Sequence, residues 1–114
     1  MLKIFSMSFN VKTLSVFERQ AKRLMKKFPS LKKEIQTLVS ELKEEPNKGT
    51  SIGHDCYKIR LAISSKGKGK SGGARVITHL VYKNDTVYLL AIFDKSDMEN
   101  LSDKEILEII KLIP

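Results

Sequence analysis

Apolar residues recur at helical spacing through the first half of the chain and at every second position through much of the rest. Leu14, Phe17, Ala21, Leu24, Met25 and Phe28 fall on one side of a helix, with Arg19, Lys22, Arg23, Lys26 and Lys27 mostly on the other. Phe28-Pro29-Ser30 interrupts it, because proline disfavours helical geometry in the residue before it, and Ser30 is placed to cap a second helix. Leu31, Ile35, Leu38, Val39 and Leu42 form the stripe of that helix, which stops at Glu45-Pro46; Asn47-Lys48-Gly49 then reads as loop. Ahead of the helices, Phe9 and Val11 share one side of a short strand, Ser8–Val11.

The period then changes to two. Tyr57, Ile59, Leu61 and Ile63 alternate with Cys56, Lys58, Arg60 and Ala62, which predicts a strand with one buried face. Ser64–Gly73 is a loop, Ala74–Lys83 a strand, and Lys83-Asn84-Asp85 a turn into Thr86–Phe93. That last strand is apolar on both sides and belongs inside the sheet. Ser102 and Glu105 form a capping box for a helix containing Ile106, Ile109, Ile110 and Ile113. The order β-α-α-β-β-β-α predicts an α+β domain, a small and mostly antiparallel sheet packed against an N-terminal helical hairpin. Residues 1–114 make one such domain, with 1–6 an extension if Met7 is the true start.

Composition narrows the classes. The chain has 114 residues, 41% of them hydrophobic, enough for one core without disulfides. Cys56 is the single cysteine, which excludes an internal disulfide and argues against a cysteine-built zinc site. No apolar run approaches the roughly 18–20 residues that cross a bilayer, and Met1–Phe9 lacks the pattern of a signal peptide. A cytoplasmic protein without metal or cofactor is expected. The net charge of +8, from 21 basic and 13 acidic residues, favours polyanions, whether nucleic acid, an acidic membrane surface or an acidic protein; distribution must decide, and no membrane partner is expected.

The charge is not evenly spread. Between Lys58 and Arg75 stand six cations, Lys58, Arg60, Lys66, Lys68, Lys70 and Arg75, and no acid. Strand alternation puts Lys58 and Arg60 on the face opposite Tyr57, Ile59 and Leu61, and puts Arg75, Ile77 and His79 together on the next strand. A hairpin through Ser64–Gly73 brings Arg75 close to Lys58 and Arg60. Like charges so near one another repel unless an anion neutralises them, and the loop glycines, Gly72 and Gly73 among them, allow backbone N–H groups to approach phosphates. The plain alternative is a solvated face beside a mobile turn. Gly69-Lys70-Ser71 imitates the end of a nucleotide-binding P-loop, but the first glycine of that motif falls at Ser64 and a strand follows, so the motif is absent. His54, Cys56 and His79 match no zinc spacing. Asp94, Asp97 and Glu99 read as a charged entry to the last helix, and Tyr82 and Tyr88 either stack bases or fill the sheet.

Asp55-Cys56-Tyr57-Lys58-Ile59-Arg60-Leu61, followed by Lys66-Gly67-Lys68-Gly69-Lys70-Ser71-Gly72-Gly73-Ala74-Arg75-Val76-Ile77, resembles toxins of the RelE/ParE superfamily. The glycine-lysine loop before an arginine is similar to the HigB-like branch, as is Leu89-Leu90-Ala91-Ile92-Phe93-Asp94-Lys95-Ser96 with Asn100-Leu101-Ser102 opening a helix. The resemblance implies a type II toxin that enters the ribosomal A site and cleaves mRNA, silenced by an antitoxin, here of helix-turn-helix type, with operator DNA reached only through that antitoxin. It implies a metal-free reaction in which the 2′-OH of the RNA attacks the adjacent phosphate. Lys58, Arg60, Arg75 and Lys95 then take the catalytic positions, and Lys66, Lys68, Lys70, Gly72 and Gly73 the RNA-binding ones. Crowded cations disfavour one another's charge, so Lys58 or Lys95 is a candidate base.

Two departures count against a simple transfer. The mRNA-cleaving members carry an arginine just after the Lys95 position, where Ser96 stands, and a tyrosine near the place of Ser102. The proton acceptor is therefore unassigned, with His79 and Tyr88 as auxiliaries if geometry brings them in. Two other functions fit the same residues: a non-enzymatic inhibitor like the gyrase-poisoning members, or an attenuated toxin that acts mainly as antitoxin partner and co-repressor.

Overall fold

A computed structural model describes residues 8–67 and 69–114. Any extension before Met7 lies outside them, as does Lys68. The chain runs β1 (Asn10–Thr13), α1 (Ser15–Lys27), α2 (Leu31–Glu44), β2 (Thr50–Gly53), β3 (Cys56–Leu61), β4 (Ala74–Val81), β5 (Thr86–Asp94) and α3 (Asp103–Ile110). The strands form one sheet in the order β1-β5-β4-β3-β2, with β1 parallel to β5 and the other neighbours antiparallel. The expected α+β architecture is present, with five strands rather than four.

The extra strand, β2, lies within what reads as loop. It offers one half-buried apolar side chain, Ile52, so it has no hydrophobic alternation to announce it. Pairing with β3 makes it a strand, through a turn in which His54 and Asp55 adopt φ of 56° and 55°. Two successive left-handed residues are what a two-residue hairpin turn requires. β1 starts two residues later than its alternation suggests, because the backbone of Phe9 is bound to Lys43 O and the parallel ladder begins at Asn10, opposite Thr86. β4 ends at Val81, where a 3₁₀ turn over Tyr82–Asn84 and a left-handed Asp85 reverse the chain. α3 ends at Ile110, one turn short of the predicted Ile113.

Each sheet face has its own core. On one, β3, β4 and β5 present Ile59, Val76, Leu80, Val87, Leu89 and Ile92 to Phe17, Leu24, Leu31, Leu38 and Leu42 of the two helices. On the other, Cys56, Ile77, Tyr88, Ala91 and Phe93 meet Ile106 of α3. All nine residues of β5 are buried, which fits its interior position and its two-sided apolar sequence. Ser30 takes the N-terminal position of α2 without a capping bond; its hydroxyl donates to Glu34 Oε1 and pairs with Ser65 Oγ at 2.8 Å. The residue expected to cap the helix thus anchors the glycine-lysine loop to it.

Candidate RNA-binding site

Alternation along β3 turns Lys58 and Arg60 away from the helical hairpin, onto the face that α3 partly covers. The β3–β4 register sets Arg60 directly opposite Arg75, Lys58 opposite Ile77 and Cys56 opposite His79. On β5, Phe93 continues the row from Arg75. The predicted meeting of Lys58, Arg60 and Arg75 therefore occurs, but the three cations are not equivalent. Arg60 is exposed and has no hydrogen-bonding or charged side-chain partner among the described residues. Lys58 donates to Asn100 Oδ1 at 2.6 Å.

Arg75 is 1% exposed. Its Nε donates to Glu99 Oε2 at 3.1 Å, Nη1 to the carbonyls of Lys70 and Ala74 at 3.0 and 3.1 Å, and Nη2 to that of Ser71 at 3.2 Å. Four of the donor directions of the guanidinium fork are thus taken by the protein itself. Arg75 fastens the glycine-lysine loop on one side and the chain after β5 on the other.

That loop is less bare of acid than its sequence. Glu34 of α2 accepts from both the backbone and the hydroxyl of Ser64. Asp94, 1% exposed, holds Lys66 Nζ, and that ammonium also sits 5.7 Å from the Phe28 ring centroid. Burial pushes the Asp94 carboxyl up, but bonds from Lys66 and from the Ser96 backbone and hydroxyl outweigh it and hold the group below the ordinary carboxylate range. With Glu99 on Arg75, three acids distant in sequence enter a stretch that contains none. Lys66 is accordingly an internal ion pair rather than an open RNA contact. Lys70 is exposed, while its carbonyl serves Arg75.

The loop glycines serve the backbone first. Gly67 and Gly69 take φ of 73° and 62° in its turns. Gly73 lies so close to β3 that a Cβ there would stand 2.1 Å from Leu61 O, and its own carbonyl accepts from Lys95 N. A cavity of about 520 Å³ opens between Lys66, Ser71, Gly72, Lys95 and Ser96. A second, about 480 Å³, lies between α2 and the outer part of β3, with Arg60 and Lys70 among its lining residues.

His79 and Tyr88 do not join the cation row. His79 Nδ1 lies 3.5 Å from Cys56 Sγ, four residue pairs along the ladder from Arg60–Arg75. Tyr88 is 4% exposed and fills the core under α3, which removes it from base stacking. Burial, followed by the charge of Asp55, pushes the Cys56 thiol up to about 11, leaving it protonated and inert at neutral pH. Tyr82 alone of the two candidate tyrosines is exposed, at the far end of β4. Glu99 and Asn100, which reach the cations from the segment before α3, were legible only as charged entry to a helix.

Three helices packed against a five-stranded mixed sheet match the fold of RelE toxins. The chain is similar to an E. coli RelE toxin carrying two arginine-to-alanine substitutions, in the free state: 18% identity, 95% of this chain and 100% of that one covered, TM-score 0.60. It is also similar to the toxin–antitoxin complex RelBE2 of Mycobacterium tuberculosis (15%, 77% and 92%, TM-score 0.58) and to the isolated E. coli RelE toxin (16%, 93% and 100%, TM-score 0.55). Residues 12–113 match the family model of the RelE toxin of the RelE/RelB toxin–antitoxin system, and the chain belongs to that family.

Proposed function

We propose that this RelE-family protein is a type II toxin of the HigB-like branch and a ribosome-dependent mRNA endonuclease, held inactive by a cognate antitoxin. The observation that carries the reading is the exposed Arg60, set in register with the anchored Arg75 and flanked by Lys58. Fixed cations stabilise the extra negative charge of a phosphorane as it forms, and need no reorganisation if they are already held in place. Arg75 and its carbonyl partners supply that rigidity; Arg60 and Lys58 supply charge to the phosphate, with Lys95 at the end of β5. The exposed Lys70 tracks the RNA backbone, with Lys68 and Gly72 as its proposed neighbours in that role, whereas Gly73 is buried with both backbone groups bonded within the protein. No step calls for a metal, since the RNA itself brings the nucleophile.

The structure of RelBE2 is that of a toxin with its antitoxin, and the same kind of partner is proposed here. One finding favours the attenuated reading: Arg75, the expected phosphate-gripping arginine, has most of its donors committed inside the protein. The two readings part on one assay, mRNA cleavage by the purified protein with and without translating ribosomes. Cleavage that requires ribosomes and drops about 10²-fold in Arg60→Ala is expected. A protein that binds its antitoxin and cleaves nothing on ribosomes sinks the nuclease reading in favour of the attenuated one.

A further inference from the structure

We propose that Glu99 is the general base of the cleavage reaction, an assignment that rests on the nuclease reading above. Attack by the 2′-OH needs a group that accepts its proton close to the cations that hold the phosphate. The described residues near the Arg60–Arg75 row offer few. Lys58 is a donor to Asn100. His79 is turned to Cys56, and Tyr88 is buried beneath α3. Asp94 is enclosed by Lys66 and Ser96, and Glu34 is bound to the loop from the helical side.

Glu99 differs from all of these. Its side chain is 44% exposed, and among the described residues it makes one side-chain hydrogen bond, Oε2 accepting from Arg75 Nε. Oε1 has no hydrogen-bond partner among the described residues, on a side chain that is nearly half exposed and tied by its other oxygen to the Arg60–Arg75 pair. Arg75 in turn cannot swing, because three carbonyls hold the rest of its guanidinium. A base is effective when a third group fixes its orientation, and Arg75 fills that place as a positioning residue. The commitment of its donors, which counts against Arg75 as a phosphate grip, becomes the reason Glu99 is held still.

The step balances without a co-reactant. The 2′-oxygen bonds to phosphorus as its proton passes to Glu99 Oε1, and the P–O5′ bond breaks. The departing 5′-oxygen takes a proton from the Lys58 ammonium, which the residue next to Glu99 holds through its amide oxygen. The products are a 2′,3′-cyclic phosphate and a 5′-hydroxyl, while Glu99 and Lys58 exchange their protons with water. Arg60 neutralises the non-bridging oxygens.

Glu99→Gln tests this, since the amide oxygen can still accept from Arg75 Nε but takes no proton. Single-turnover cleavage of ribosome-bound mRNA and co-sedimentation with ribosomes are measured together. Cleavage is expected to fall by at least about 10²-fold with ribosome binding unchanged, and Glu99→Ala is expected to regain cleavage with added formate. Wild-type cleavage by Glu99→Gln, at an unchanged melting temperature, reduces Glu99 to a staple and overturns the proposal. Faster cleavage overturns it too, and shows instead that the carboxylate occupies the phosphate seat. A wild-type protein that cleaves nothing on ribosomes overturns the nuclease reading and the base together, whereas an active wild type with an indifferent Glu99→Gln overturns the base alone.

Discussion

Gly73 and Asp94 show how much of the site depends on single residues that touch no substrate. At Gly73 the constraint read from the structure is one of space: an added Cβ would meet the Leu61 carbonyl at 2.1 Å. The backbone there is locked by the β3–β4 ladder on one side and by the bond to Lys95 N on the other, so it cannot yield cheaply. Gly73→Ala is expected to cost about 2–3 kcal/mol in urea unfolding, whereas alanine at a surface site away from such features changes little. Asp94 carries a pH dependence whose sign follows from its shift. Its folded-state value lies below the ordinary 3.8, so the contribution is complete above that value and is lost as pH falls through the lowered one. An acid titration of stability is expected to show this loss in wild type and to lack it in Asp94→Asn. Asp94→Ala leaves the Lys66 ammonium nearly enclosed without a counter-charge, and a cost of about 3 kcal/mol or more is expected in the same unfolding assay.

Among the elements, the helices and the long strands were readable because each buries a stripe or a face, and burial imposes a period on the sequence. β2 escaped that reading because an edge strand of four residues has almost nothing to bury. Its evidence in the sequence is the His54-Asp55 turn, and those residues are equally at home in a loop. α3 is the opposite case, a short helix whose start was written plainly. Ser102 Oγ accepts from Glu105 N at 3.1 Å and Glu105 Oε1 from Ser102 N at 2.9 Å; the Ser102 backbone N–H, then its hydroxyl, hold the Glu105 carboxyl below its ordinary value. With eight residues and one fully buried side chain, Ile106, this helix has little but its cap to fix where it begins. Ser102→Ala is expected to lower stability by about 1 kcal/mol. Because the cap also ends the segment bearing Glu99 and Asn100, faster amide exchange in Asp97–Leu101 is expected to accompany it.

At the scale of the whole molecule, the net charge of +8 pointed to a polyanion and the sequence run Lys58–Arg75 pointed to where it binds. The charge that is open to a ligand could not be read the same way. Glu34, Asp94 and Glu99 come from a helix, a strand end and a loop, and only the closed fold brings them to Ser64, Lys66 and Arg75. Counting cations along the chain overstates the binding surface for that reason. Salt dependence separates the two populations. Each cation that neutralises a phosphate of a single strand releases counterions and contributes roughly −0.7 to the slope of log K against log salt. Arg60→Ala and Lys70→Ala, both at exposed positions, are each expected to make the slope for a single-stranded RNA oligonucleotide shallower by about that amount. Lys66→Gln is expected to leave it unchanged, since the charge it removes is already matched by Asp94. Fluorescence anisotropy across a salt series reads all three, with thermal melts confirming that each variant is folded. A slope that responds to Lys66 as it does to Arg60 means the Asp94 pair opens on binding, and the whole loop then belongs to the RNA surface.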